Sequence, residues 1–125
     1  MIAIDSSSLI AFLGGDDGAD VEAVHEALRL KLAVLPPVVL TEVLSLPGLD
    51  ARVIDLLLDL PLLEVDSGYW ERAGARRRRI LEHRLRARLA DTLIAQSCID
   101  HGVPLITRDS DFRHFKKHSG LELVG

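Results

Sequence analysis

Five acidic residues lie in short motifs where their side chains suit metal-assisted chemistry. They are Asp5 in AIDSSSLI, Glu42 in VLTEVL, Asp91 in LADTLIAQ, and Asp109 and Asp111 in LITRDSDF. Carboxylate oxygens are hard ligands, and these motifs contain no cysteine or paired histidine, so they suit Mg²⁺ or Mn²⁺ better than zinc or copper. A dication held this way activates a bound water for attack on a phosphodiester and neutralises charge on the phosphate oxygens.

Each of these acidic residues also has a purely structural explanation. Asp5 suits a helix N-cap, Glu42 a solvated helix face, Asp91 the positive end of a helix, and the DSD sequence a turn. Glu42 and Asp91 both lie among apolar neighbours, which places them near the apolar side of a helix and at least partly buries them. This favours a site that the acidic residues share. Two carboxylates about 4 Å apart repel by roughly 4 kcal/mol at an effective dielectric constant of 20. A bound cation removes that repulsion.

Three hydroxyl residues accompany the acidic motifs, namely Ser6, Ser7 and Thr107. They either donate hydrogen bonds to the carboxylates, to water or to a phosphate, or they only cap helices and end a strand. The sequence leaves both interpretations open.

The elements that position these residues alternate between strands and helices. Strands are predicted over residues 2–4, 32–35, 61–65, 104–107 and 121–124, and helices over 6–13, 19–31, 36–46, 50–60, 67–87 and 89–101. This α/β alternation is typical of a mostly parallel sheet of four to five strands, covered on both faces. Ligands of such sheets bind beyond the carboxyl ends of the strands. Asp5 follows the first strand and Asp109 and Asp111 follow the fourth, so we expect these carboxylates to meet at one edge.

Chain length, composition and cysteine count limit the class of protein. A chain of 125 residues is one domain, 1–125, and with 48% apolar and 27% charged residues it has the composition of a globular protein. Cys98 is the only cysteine, which excludes an intrachain disulfide and favours a reducing, cytoplasmic setting. Neither a basic leader nor an uninterrupted apolar run of spanning length is present, so we expect no signal peptide and no membrane span.

An arginine-rich segment contrasts with the acidic chain, whose net charge is −4. Residues 71–90 hold eight arginines and two glutamates, and the successive arginines are Arg76, Arg77, Arg78 and Arg79. Four consecutive residues cannot share one helical face. The charge contrast favours contact with the phosphates of RNA or with an acidic protein partner over a solvated helix held by pairs such as Glu82 with Arg78. On one straight helix, Arg84 and Arg88 would lie on the same side as the apolar Ile80 and Leu81. This position predicts a bend or break before Ala90.

Two other segments are given structural roles. Asp16, Asp17 and Asp20 are interpreted as a solvated loop and helix start. The leucine-rich stretch over residues 56–63 is more apolar than one buried face needs. Some of these leucines are therefore expected to pack against another subunit.

Together these motifs resemble the PIN-domain ribonucleases, and among them the VapC-type toxins of bacterial toxin–antitoxin pairs. The matching pieces are IDSSSLIAFL, LTEVL, ARLADTLIAQSCIDHGVPLITRDSDFRHF and the closing LELV. The resemblance implies a three-layer α/β/α sandwich, a divalent-metal site, endoribonuclease activity, a homodimer and neutralisation by a cognate antitoxin. By position, Asp5, Glu42, Asp91 and Asp109 correspond to the acidic quartet, with Asp111 supporting it. Asp109 and Asp111 share or exchange one role.

The predicted function is therefore that of a Mg²⁺- or Mn²⁺-dependent endoribonuclease. One alternative is a catalytically silent PIN-like module that binds RNA or protein, but a binding module has no need of mutually repelling carboxylates. Another is a phospho-accepting signalling domain, which needs an acceptor aspartate after the middle strand and a nearby lysine. Asp66 is available for the first role, whereas LITRDSDF has arginine and aspartate where the lysine would be useful.

Overall fold

The central sheet is parallel and buried. The structure, a computed structural model, describes residues 1–125. Its strands are β1 (Ile2–Ile4), β2 (Ala33–Val34) and β3 (Leu105–Ile106), in the spatial order β2-β1-β3. Ile2 lies opposite Ala33, and Ala3 lies opposite Leu105. Every strand residue except Ile2 is buried, as expected for parallel strands covered on both faces.

The sheet has fewer strands than the four to five predicted. The two missing strands are present as single bridges, Leu62 to Leu35 and Leu123 to Leu105, which flank the three strands. On the first side the ladder ends because Leu35 is followed by two prolines and Leu62 is preceded by Pro61, and proline has no amide hydrogen to donate.

Seven helices surround the sheet and complete a three-layer α/β/α sandwich. They are α1 (Ser6–Leu13), α2 (Ala19–Arg29), α3 (Pro37–Leu44), α4 (Ala51–Asp59), α5 (Tyr69–Glu82), α6 (Leu89–His101) and α7 (Phe112–Ser119). Helix α1 packs against α2 and α3, and α5 packs against α6 and α7. The sequence does not predict α7, which brings Phe112 and Phe115 into the core with no exposed surface.

The helix predicted over residues 67–87 ends at Glu82, which confirms the expected break before Ala90. Arg84 adopts a φ of 59°, a left-handed conformation that a helix interior does not accept. The chain then runs without regular structure to Leu89, where α6 begins. The arginine-rich segment is therefore divided between a helix and an exposed connection.

No helix of the chain combines the length and the apolar character that crossing a membrane requires. The apolar residues instead form one continuous core. It joins Ile4 of β1, Leu9 of α1, Ile94 of α6 and Ile106 of β3, each at most 1% exposed. This core fixes the ends of the strands on which the acidic motifs lie.

Candidate functional site

Asp5 is the first acidic residue beyond the sheet, and it is almost completely buried at 3% exposure. It caps α1, because its Oδ2 accepts hydrogen bonds from the Ser7 backbone amide and from the hydroxyls of Ser7 and Thr107, at 3.4, 2.5 and 2.8 Å. Burial raises the pKa of the Asp5 carboxyl, and these hydrogen bonds oppose the rise. Asp5 thus joins the end of β1 to the loop after β3.

Asp109 and Asp111 lie in that loop, and its backbone is folded around them. The Asp109 amide donates to Thr107 Oγ1 at 3.0 Å, and the Asp111 amide donates to Asp109 Oδ1 at 2.9 Å. Asp111 then precedes the first residue of α7. Two short-range hydrogen bonds therefore hold the DSD sequence in a turn, as one of the structural interpretations predicted.

Asp91 reaches the same place from a different element. It lies in the first turn of α6, and its carboxylate meets those of Asp109 and Asp111, with one oxygen of each within 4.8 Å of the others. The Asp91 Oδ2 atom is buried and has no hydrogen-bond partner. Burial, followed by the charges of Asp109 and Asp5, raises the pKa of the Asp91 carboxyl to about 6.

These three carboxylates, Asp91, Asp109 and Asp111, form the carboxylate cluster. At 4.8 Å, two negative charges repel by roughly 3 kcal/mol at an effective dielectric constant of 20. Buried polar atoms in proteins are nearly always hydrogen-bonded, so the unpartnered Asp91 Oδ2 needs an explanation. Partly buried oxygens from three carboxylates, without sulfur or imidazole, match the preferences of Mg²⁺ and Mn²⁺. The residues present therefore fit a divalent cation.

Glu42 lies outside the carboxylate cluster but close to Asp5. Its Oε1 accepts a hydrogen bond of 2.6 Å from the Ser6 hydroxyl, and Ser6 follows Asp5 directly. The glutamate is half-buried on α3, so the alternative explanation of a solvated helix face does not describe it. Ser6, Ser7 and Thr107 all donate to carboxylates, which answers the question that the sequence left open.

The four successive arginines have different surroundings, although their sequence makes them look alike. Arg76 Nε donates to the Oε1 of buried Gln96 at 2.7 Å, and Arg77 Nε donates to the Ala87 carbonyl at 2.8 Å. Arg78 is 76% exposed and lies 3.8 Å from Glu82, and Arg79 is exposed. Arg76 and Arg77 are therefore half-buried and held within the fold through Nε, whereas Arg78 and Arg79 are exposed.

A second set of contacts, which the sequence did not predict, lies beside the candidate site. Arg108 donates through Nε and Nη2 to both oxygens of Asp20, at 2.8 and 3.0 Å, and the Ser8 hydroxyl also donates to Asp20. The Arg108 hydrogen bond is the main reason that the pKa of Asp20 falls to about 2. The interpretation of Asp20 as a solvated residue is therefore wrong. The only sign of this contact in the sequence was that Arg108 directly precedes the DSD sequence.

The model of the PIN domain family matches residues 2–118 of the chain. None of the curated proteins matches the chain in sequence. Among solved structures, VapBC-5 from Mycobacterium tuberculosis, a member of the VapBC family of toxin–antitoxin systems, is 22% identical. The match covers 98% of this chain and 96% of that one, with a TM-score of 0.68.

Two further solved structures have similar folds. VapBC2 from Rickettsia felis, bound to a DNA fragment from their promoter, is 20% identical, with coverage of 99% and 98% and a TM-score of 0.69. FitAcB from Neisseria gonorrhoeae is 17% identical, with coverage of 100% and 97% and a TM-score of 0.66. Because the family model spans nearly the whole chain, we conclude that the chain belongs to the PIN domain family.

Proposed function

We propose that this protein is a metal-dependent endoribonuclease that cleaves RNA phosphodiester bonds with Mg²⁺ or Mn²⁺. The observation that carries the proposal is the buried, unpartnered Oδ2 of Asp91 within the carboxylate cluster. A side chain that only capped a helix would place both oxygens on amides or in water. Membership of the PIN domain family, whose members are generally nucleases, agrees with this chemistry.

The proposed roles follow from the position of each side chain. Asp91, Asp109 and Asp111 would hold the cation, which supplies an activated water and neutralises charge on the phosphate oxygens when bound. The hydrogen bonds to Asp5 all reach Oδ2, so they fix its orientation and leave Oδ1 available to the site. Ser6 in the same way orients Glu42.

A cleavage assay tests this proposal. The purified protein is incubated with single-stranded and stem–loop RNAs in Mg²⁺, in Mn²⁺ and in excess chelator. We expect cleavage only with a metal, and its loss in Asp5→Asn and Asp91→Asn. Asp55→Asn is the matched control, because Asp55 is an exposed aspartate of α4. Cleavage that persists in chelator would refute the metal mechanism, whereas RNA binding without cleavage would identify a silent binding module.

A toxin role in the cytoplasm, with a cognate antitoxin as its partner, belongs to the same proposal. Its support is that similar solved structures are named as VapBC toxin–antitoxin systems. Expression of the wild-type chain alone should then arrest growth, and expression of Asp91→Asn should not. Equal growth of cells with either chain would contradict the toxin role.

A homodimer is also proposed, and exposed leucines support it. Leu57 and Leu63 are buried in the core, whereas Leu56, Leu58 and Leu62 are 39%, 60% and 44% exposed. Three exposed leucines within one short segment favour a contact with a second copy. Sedimentation equilibrium of the wild type and of Leu58→Glu tests this. We expect a dimer for the wild type and a weaker dimer for the variant.

A further inference from the structure

The connection between α5 and α6 presents two arginines on its outer side. Leu85 packs against the core, and Ala87 is 4% exposed. Arg86 and Arg88, which alternate with them, are both exposed. Because Leu85 and Ala87 lie toward the core, the exposed Arg86 and Arg88 lie on the outer side of the connection.

Both arginines lie beside the carboxylate cluster. Arg86 Nη1 is 3.9 Å from Asp111 Oδ2, and the Arg86 side chain is 63% exposed. Arg88 is the residue before α6, three positions ahead of Asp91, and its charge lowers the pKa of the Asp91 carboxyl against the larger effects that raise it. Neither guanidinium group donates a hydrogen bond within the chain, and both residues are exposed.

The backbone that carries Arg86 and Arg88 is held in place by other side chains. Arg77 Nε donates to the Ala87 carbonyl at 2.8 Å, and His114 Nδ1 lies 3.1 Å from the Arg86 carbonyl. These contacts attach the connection to α5 on one side and to α7 on the other. A site held in advance loses less entropy when a ligand binds.

We propose that Arg86 and Arg88 form a binding site for the phosphates of the RNA backbone, directly beside the carboxylate cluster. This inference rests on the proposed function, because a cluster of negative charges needs neighbouring cations to accept a polyanion. Guanidinium groups match phosphate geometry through paired N–H donors. The structure favours this pair over Arg76 and Arg77, whose Nε donors are already used within the fold.

RNA binding tests the site without depending on cleavage. The affinity of Asp91→Asn protein for a fluorescently labelled single-stranded RNA is measured by anisotropy over a range of salt concentrations. Each phosphate contact to single-stranded nucleic acid contributes about 0.7 to the slope of log K against log salt. Adding Arg86→Ala and Arg88→Ala should therefore reduce the magnitude of the slope by about 1.4.

Two further variants separate contact from total charge. Arg78→Ala with Arg79→Ala removes the same charge from the exposed side of α5 and should change the slope by less than about 0.5. Arg86→Lys with Arg88→Lys keeps the charge and should keep most of the slope. An unchanged slope in the double alanine variant, or an equal loss in the α5 control, would overturn the site. An unchanged slope would also point to an acidic protein surface as the partner of these arginines.

The RNA-binding experiment and the cleavage assay can fail independently of each other. If the slope falls as expected but the wild-type protein does not cleave RNA with metal, the phosphate site stands and the proposed hydrolysis fails. If the wild type cleaves RNA and the slope does not fall, the hydrolysis stands and the phosphate site fails.

Discussion

Helix α6 carries an aspartate near each end, and the two have opposite surroundings. Asp91 in the first turn has a buried oxygen without a partner and a pKa raised to about 6, first by burial and then by neighbouring carboxylates. Asp100 near the last turn accepts hydrogen bonds from both Arg72 and Gln96, and the Arg72 hydrogen bond is the main cause of its lowered pKa.

The helix dipole predicts the reverse order. A negative charge is stabilised at the N-terminus of a helix and destabilised at the C-terminus, by roughly 0.3–1 kcal/mol. Asp91 lies at the favourable end and Asp100 at the unfavourable one, yet the pKa of Asp91 is raised and that of Asp100 is lowered. Local burial and partners therefore outweigh the dipole. Asp91, with its unpartnered oxygen, is therefore the candidate functional residue of the pair, whereas Asp100, with two donors, supports the fold.

The largest expected difference is in cleavage by matched variants of this pair. Asp91→Asn should lower the RNA cleavage rate by about 10³-fold, which corresponds to roughly 4 kcal/mol of transition-state stabilisation. Asp100→Asn should leave the rate per folded molecule unchanged, because the hydrogen-bond partners of Asp100 lie on α5 and on its own helix. Single-turnover cleavage by both variants measures the difference. A similar loss in both would remove the functional contrast between the two ends of α6.

The second prediction concerns stability and pH in the absence of metal. A raised folded-state pKa means that the folded protein holds a proton that the unfolded chain has lost, so stability falls as pH rises from about 4 to about 6. For Asp91 the expected loss is about 2 kcal/mol, reduced from the full shift because the side chain is partly exposed. Urea unfolding across this range measures it. Asp91→Asn should flatten the profile, and a wild-type profile that rises instead would contradict the assigned cause.

Asp100 should show the opposite dependence on pH. Its lowered pKa contributes stability that is present above the unfolded-state value of 3.8 and is lost as pH falls through the folded-state value. At neutral pH, Asp100→Asn should reduce the free energy of unfolding by about 1–2 kcal/mol, because two charge-assisted donors lose their acceptor charge. The deficit should shrink in acid. A constant deficit from pH 7 down to pH 3 would show that charge is not its source.

The smallest expected effects distinguish neighbouring arginines of α5. Arg76→Ala leaves the buried Gln96 Oε1 without its donor and should cost about 1 kcal/mol of unfolding free energy. Arg78→Ala, at an exposed residue, should change it by less than about 0.5 kcal/mol. Thermal and urea unfolding at neutral pH provide the measurement. Equal effects would mean that the contact with Gln96 adds nothing to stability.

Much of the candidate site was predictable because strand ends are predictable. Asp5 and the DSD sequence follow apolar strands of a parallel sheet, and such strands end at one edge. Asp91 follows from the start of a helix that the sequence marks clearly. Asp91, Asp109 and Asp111 therefore gather as expected. Asp5 lies outside this group of three carboxylates, and so does Glu42. Its contact with Ser6 depends on how α3 packs against α1, which no local pattern specifies.

Other features could not be predicted from the sequence because they depend on partners far away in the chain. Arg108 and Asp20 are separated by 88 residues, and a charged residue in a loop gives no sign of which carboxylate it will meet. The run from Arg76 to Arg79 is uniform in sequence, and only the positions of α6 and of the connection before it separate inward from outward members. The strand count was overestimated because an apolar segment predicts a strand without showing how far its ladder extends, and beside Leu35 and Leu62 prolines limit the ladder to a single bridge.

A Mn²⁺ titration followed by calorimetry at pH 7.5 tests the central claim most directly, because it measures occupancy of the carboxylate cluster without any assumption about the substrate. Wild-type protein and Asp100→Asn should both bind the ion and show a higher Tm in its presence, since a ligand of the folded state alone stabilises it. Asp91→Asn should bind much more weakly and show little change in Tm. Equal Mn²⁺ binding by wild-type protein and Asp91→Asn, or no binding by the wild type, would contradict the account.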